Sequence, residues 1–159
     1  QEEPIEKMVL GINNSLHKLL PSGRFVSAAL ICIDQASGQG GVWVGGVPDV
    51  VQLDAIGKIA QRYRSSQLPL GVVRMDIVDV CITPLFLAKD QQLLLYSDGV
   101  IEACSAAGHA FEYTGLEQSL IGHSPEERLF GLMEALTAHL DGAPEHDDIS
   151  ILLIDREPA

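Results

Sequence analysis

The residues of this chain best suited to chemistry are two aspartates at the ends of strand-like runs. Asp98 follows Leu93-Leu94-Leu95-Tyr96-Ser97, an apolar run that reads as a buried strand and stops at Asp98-Gly99, where the backbone can turn. Asp147 comes 49 residues later, within His146-Asp147-Asp148, directly before the strand-like run Ile149-Ser150-Ile151-Leu152-Leu153-Ile154. If these strands pair, both carboxylates lie at one end of a sheet. Carboxylates about 4 Å apart repel by roughly 1–4 kcal/mol, depending on the effective dielectric. They are tolerated when protonated, solvated or bridged by a divalent cation. Two exposed acidic turns is the other reading that the residues leave open.

The elements that must position these acids follow from periodicity. Pro4 to Leu20 reads as an amphipathic helix, with Ile5, Met8, Val9, Ile12, Leu16, Leu19 and Leu20 at three- and four-residue steps and Glu2 and Glu3 at the positive end of its dipole. Strands are expected over Phe25–Asp34, around Val42–Val44, over Val50–Leu53 and over Lys58–Tyr63. Asp76–Thr83 reads as a further strand broken by Pro84, followed by the Leu93–Tyr96 strand and a short helix from Val100. A helix is expected from Thr114 to Ile121. The clearest helix start is Ser124-Pro125-Glu126-Glu127, a capping box with proline at the first helical position. Its core face would be Leu129, Leu132, Met133, Leu136 and Leu140. Most connections between strands are too short for helical crossovers, so the pattern predicts an α+β domain with a mainly antiparallel sheet.

The chain has 159 residues, 47% of them hydrophobic, and a formal charge of −12 from 22 acids against 10 bases. That charge disfavours nucleic acid and anionic membrane surfaces and suits a cation or a basic protein face. Cys32, Cys81 and Cys104 are too few and too far apart for a disulfide framework or a zinc knuckle, and are expected as small core filler in a reducing compartment. No apolar run approaches a membrane span, and the start is polar and acidic, so the cytoplasm is the expected location. The five histidines show no metal-binding spacing. Asp34, Asp49 and Asp54 read as strand terminators, Ser97 as a strand-end packing residue and Glu102 as a helix surface residue.

Leu93–Glu102 resembles the Asp-Gly motif of bacterial type-2C (PPM) serine/threonine phosphatases of the SpoIIE/RsbU branch, and His146–Ser150 resembles that family's closing acidic motif. Phe25–Ala29, Gly45-Gly46-Val47-Pro48, Leu68–Val72 and Gly108-His109-Ala110-Phe111 resemble supporting pieces in the same order, over almost the whole chain. The resemblance implies a β-sandwich flanked by helices, with Mn²⁺ or Mg²⁺ at one end of the sandwich, and hydrolysis of phosphoserine or phosphothreonine by metal-activated water without a covalent intermediate. It implies Asp98 and Asp147 as metal ligands, with Gly99, Asp148 and His146 adjacent to the site. Hard divalent cations do favour such carboxylate oxygens.

Three departures qualify the resemblance. The family's upstream acidic motifs have no counterpart, so residues 1–159 are expected to be the C-terminal portion of one phosphatase-like domain, incomplete at the N-terminus. Its two-metal site would be incomplete and the chain alone inactive. Val44-Gly45-Gly46-Val47 replaces a polar Asn-Ala-Gly-His sequence, and Glu112 stands where the family usually has glycine. Trp43–Asp49 and Arg64–Gly71 resemble a narrower set of HsbR-like and RssB-like proteins, in which the domain follows a response-regulator receiver. Two functions are thereby implied. One is a phosphatase acting on a phosphorylated regulator such as an anti-sigma-factor antagonist. The other is a catalytically weak or inactive phosphatase-fold adaptor that binds a sigma factor or its regulator.

Overall fold

The computed structural model describes residues 3–144 and 147–156. They form an α+β fold with two antiparallel sheets and four α-helices among the described residues. The chain divides into two compact units, one of residues up to 50 together with 63–88, the other of residues 51–62 and 89–156.

The first unit begins with α1 (Ile5–Leu19), one residue inside the expected bounds at each end. Glu6 lies in its first turn and His17 and Lys18 in its last, as the helix dipole favours. Ile5, Val9 and Leu16 join Trp43, Leu70 and Val80 in the core of this unit. Ile12 and Leu19, expected on the buried stripe, are instead exposed. Asn13 takes the interior place and is wholly buried. Its amide donates to the Val73 carbonyl at 3.0 Å and its Oδ1 accepts from the Gly71 N–H at 2.9 Å. A polar side chain thus ties the helix to the 71–73 segment at little desolvation cost, because both ends are satisfied.

The sheet of this unit has the order β1 (Ala28–Ile33), β2 (Gln39–Gly45), β5 (Thr83–Phe86), with both pairings antiparallel and Leu30 opposite Trp43. Asp34 closes the β1–β2 turn by accepting from the Ser37 N–H at 2.6 Å and the Ser37 hydroxyl at 2.8 Å, a turn role rather than a ligand role. The expected Asp76–Thr83 strand is replaced by a 3-10 turn at Ile77–Asp79 followed by β5. Pro84 lies inside β5, opposite Gly41. An outermost strand tolerates proline, which lacks only the N–H that would face away from the sheet. The cysteines are not core filler: Cys81 is exposed, and Cys32 and Cys104 are half-buried.

The second unit carries the order β4 (Ile59–Tyr63), β3 (Val50–Leu53), β6 (Gln92–Tyr96), β7 (Ile151–Asp155), the strand ends Val50 and Tyr63 being counted with the first unit. The β3–β6 and β6–β7 pairs are antiparallel. Asp54 shapes the β3–β4 turn by accepting from the Ile56 and Lys58 N–H groups at 3.0 and 2.8 Å. Between β6 and β7 come α2 (Asp98–Ile101), α3 (Glu112–Leu120) and α4 (Arg128–Leu140). Val51, Leu53, Leu94, Tyr96, Val100, Leu116, Leu120, Leu132 and Leu136 make one core.

Two local features differ from expectation. The Ser124–Glu127 pair exists, Glu127 accepting from the Ser124 hydroxyl at 3.0 Å, but it shapes a turn and α4 starts at Arg128. The buried face of α4 is Arg128, Gly131, Leu132 and Leu136, so Leu129 and Met133 are not core residues. Glu112 has φ of 59°, the left-handed region that glycine enters without penalty. Glutamate there keeps the backbone shape that glycine would supply and bears the strain of its Cβ.

Candidate functional site

The geometry of the site starts from the register of β6 and β7. Tyr96 pairs with Ile151 and Gln92 with Asp155, so the chain leaves β6 at the end where it enters β7. Ser97 extends the ladder by one step, its N–H donating to the Ser150 carbonyl at 2.9 Å. Its hydroxyl donates to the Asp148 carbonyl at 2.8 Å and accepts from the Ser150 N–H at 2.9 Å. Ser97 is therefore a clip across the two strand ends. It is more than the strand-end packing residue expected from sequence, where the hydroxyl immediately before Asp98 is the one local signal of this role.

Beyond the clip the backbones touch. A Cβ built on Gly99 would lie 2.5 Å from the Asp148 carbonyl oxygen and 3.4 Å from the Asp147 carbonyl carbon. Real side chains do not approach so closely, so only glycine lets the Asp98–Gly99 backbone pass against Asp147–Asp148. Gly99 and Val100 are buried, while Asp98, Asp147 and Asp148 are exposed. Asp98 opens α2, its carbonyl accepting from the Glu102 N–H at 2.9 Å.

The structure thus brings Asp98, Gly99, Asp147 and Asp148 to one strand-end, as pairing of the two runs requires. His146 lies outside the described residues. Asp98 Oδ1 accepts from the Gly99 N–H at 3.2 Å, and Asp147 Oδ1 accepts from the Asp148 N–H at 2.8 Å. Among the described residues the Oδ2 atoms of both aspartates have no protein donor. Exposed carboxylate oxygens on a backbone fixed by a clip suit a hard divalent cation. Among the described residues no three or more His, Cys, Asp and Glu side chains gather into a group able to hold a metal.

The sequence profile of the family described as Stage II sporulation protein E (SpoIIE) matches residues 1–157. The chain belongs to the SpoIIE family. Its fold is that of solved PP2C-type domains. The SiaA-PP2C domain of Pseudomonas aeruginosa superposes with a TM-score of 0.69 at 18% identity, over 82% of this chain and 52% of that one. The phosphatase domain of the cell fate determinant SpoIIE from Bacillus subtilis, presoaked with Mn, gives 0.65 at 18% identity over 97% and 66%. RsbX in complex with magnesium gives 0.64 at 12% identity over 95% and 64%. The SpoIIE-family chain described here spans about half to two-thirds of these structures. No curated protein matches it. No helix among the described residues is long and apolar enough to cross a membrane.

Proposed function

We propose that this chain is the C-terminal portion of a metal-dependent serine/threonine protein phosphatase domain in a cytoplasmic bacterial signalling protein. In this reading residues 1–159 belong to one domain, and the parent protein carries an upstream receiver and supplies further metal carboxylates. The substrate is a phosphorylated regulator such as an anti-sigma-factor antagonist. The observation that carries the reading is the Asp98–Asp147 tip, clipped by Ser97 and closed by Gly99, in a chain of the SpoIIE family.

In this reading Asp98 and Asp147 hold Mn²⁺ or Mg²⁺, with Gly99, Asp148 and His146 beside them. Such a cation supplies a water acidified to near neutrality and a Lewis acid for the phosphoryl oxygens. The protein's own part is to fix the two carboxylates before the cation arrives. Ser97 and the close Gly99 backbone do so without placing side-chain bulk at the tip.

Turnover of a phosphoserine protein by the full-length parent with Mn²⁺ tests this. Activity abolished by chelator and by Asp98→Asn, with folding retained, is the expected result. A folded parent that turns over no phosphoserine or phosphothreonine substrate overturns the catalytic reading. The second reading, an RssB-like adaptor for a sigma factor or its regulator, then stands. It draws on the exposed apolar residues of α4, a surface that needs no metal to bind a protein.

A further inference from the structure

Helix α4 is apolar on two sides, and only one of them is covered. Leu132 and Leu136 enter the core with 0% and 2% exposure. Leu129, Phe130 and Met133 remain 42%, 66% and 44% exposed. Leu129 and Met133 stand one helical turn apart with Phe130 beside them, so the three form a short contiguous stripe. An exposed aromatic flanked by leucine and methionine is the composition of a protein-binding anchor, and methionine adapts its shape to a partner.

The charge around the stripe has one sign. Glu126 lies just before the helix and Glu134 one turn beyond Phe130, and both are exposed. From Ser124 to Gly142 the one Lys or Arg is Arg128, which is wholly buried. No exposed lysine or arginine on the helix offsets the acids, and the formal charge of the whole chain is −12. An anionic lipid surface is repelled by such a face. A second copy meeting it symmetrically would set acid against acid. A polypeptide segment with apolar residues at helical spacing and lysine or arginine beside them complements both the stripe and its charge.

We propose that the outer face of α4, anchored on Phe130 and bordered by Glu126 and Glu134, docks a basic amphipathic helix of a partner protein. The face uses no residue of the Asp98–Asp147 tip, so its occupancy does not depend on whether that tip is catalytic.

The test is fluorescence anisotropy of a labelled leucine–lysine amphipathic helical peptide titrated with the full-length parent protein, beside a leucine–glutamate peptide of the same pattern. Expected is binding of the basic peptide alone, weakened about tenfold or more by Phe130→Ala, the usual loss for an aromatic anchor. Glu134→Lys should weaken it as well, while Asp90→Lys, an exposed acid on a turn elsewhere, leaves it unchanged. Circular dichroism of each variant confirms folding, and Met133→Ala provides a second anchor variant should Phe130→Ala fold poorly. Equal weakening by Asp90→Lys shows that charge alone binds the peptide and overturns the docking face. Absence of binding, or binding indifferent to both anchor variants, overturns it too. Self-association of the parent that is abolished by Phe130→Ala assigns the stripe to a second copy and overturns the partner.

Discussion

The two ends of the β6–β7 pair use polar side chains in opposite ways. At the Asp98 end the carboxylates are exposed and retain oxygen atoms without protein donors. At the Gln92–Asp155 end Gln92 and Arg128 are buried and joined to each other, and Gln92 reaches out to the exposed Asp155. Arg128, with no exposed surface, donates to Gln92 Oε1 at 2.6 Å and to the Ala55 carbonyl at 2.7 Å. Gln92 in turn donates to the Pro125 carbonyl at 3.0 Å and to Asp155. Burial pulls the Arg128 pKa below the ordinary arginine value, while Asp54, Asp155 and Glu126 pull it back up. A buried network, complete except for the Arg128 Nε, joins β6 to α4 and the β3–β4 turn; the solvent-exposed acids at the far end remain open to a ligand. One strand pair holds both, its backbone ladder running from the Gln92–Asp155 pair to the Tyr96–Ile151 pair beside the tip.

The contrast can be broken at either end. Arg128→Met removes the centre of the network and leaves the buried Gln92 acceptor without its donor, while the Ala55 carbonyl, on an exposed turn, can turn to water. The expected loss is about 1–3 kcal/mol, the cost of one buried acceptor left unsatisfied, measured as a lower urea midpoint. At the other end, Gly99→Ala forces the Asp98 and Asp148 backbones apart. Displacements of about 1 Å commonly cost roughly a hundredfold in rate, so phosphatase activity of the parent should fall by about that factor. Its stability should fall by only about 1–3 kcal/mol, the cost of overpacking. Ser97→Ala opens the clip while water can still reach the strand ends. About 1 kcal/mol of stability should be lost, and Mn²⁺ affinity, read by calorimetry, should fall more noticeably than the urea midpoint.

Two substitutions outside both ends sharpen the comparison. Glu112→Gly relieves the left-handed backbone and should add about 0.5–1 kcal/mol, raising the thermal midpoint with Mn²⁺ affinity unchanged. The smallest effect concerns Tyr63, whose phenol pKa is raised by burial. Above its ordinary value near pH 10 the unfolded chain ionises while the folded chain does not. Tyr63 therefore contributes to a loss of stability as pH climbs from about 10 through its folded pKa. Denaturation at pH 8 and pH 11 should show a smaller alkaline decline for Tyr63→Phe than for the native chain.

Local pattern carried the sequence reading as far as local forces decide. Val50–Leu53 and Lys58–Tyr63 were legible as strands because apolar residues and a Gly57 turn mark them without outside help. The Asp98 tip was legible because an apolar run that stops at Asp-Gly has few other endings. Periodicity on α4 failed because Leu129 and Met133 repeat as regularly as Leu132 and Leu136, and only tertiary packing chooses between the two sides. Thr83–Phe86 escaped because proline reads as a break, and its tolerance depends on an outermost position that sequence alone does not show. Asn13 and Arg128 were invisible for the same reason. Their partners lie 60 and 36 residues away, at Val73 and Gln92. The Ser97 clip reaches 51 residues, to Asp148, and became readable only once the strands were paired.

Among the described residues β7 is the outermost strand of its sheet, and Leu152 on it is 54% exposed. The run Ile151-Leu152-Leu153-Ile154 carries no proline, lysine or glycine, whereas β5 at the rim of the other sheet carries Pro84. A rim of unpaired backbone donors and acceptors beside branched aliphatic side chains is a template for further strands. The practical consequence is colloidal. Sheet-rich aggregates should start at β7 as the protein is concentrated, and a lysine at Leu152 should delay their onset.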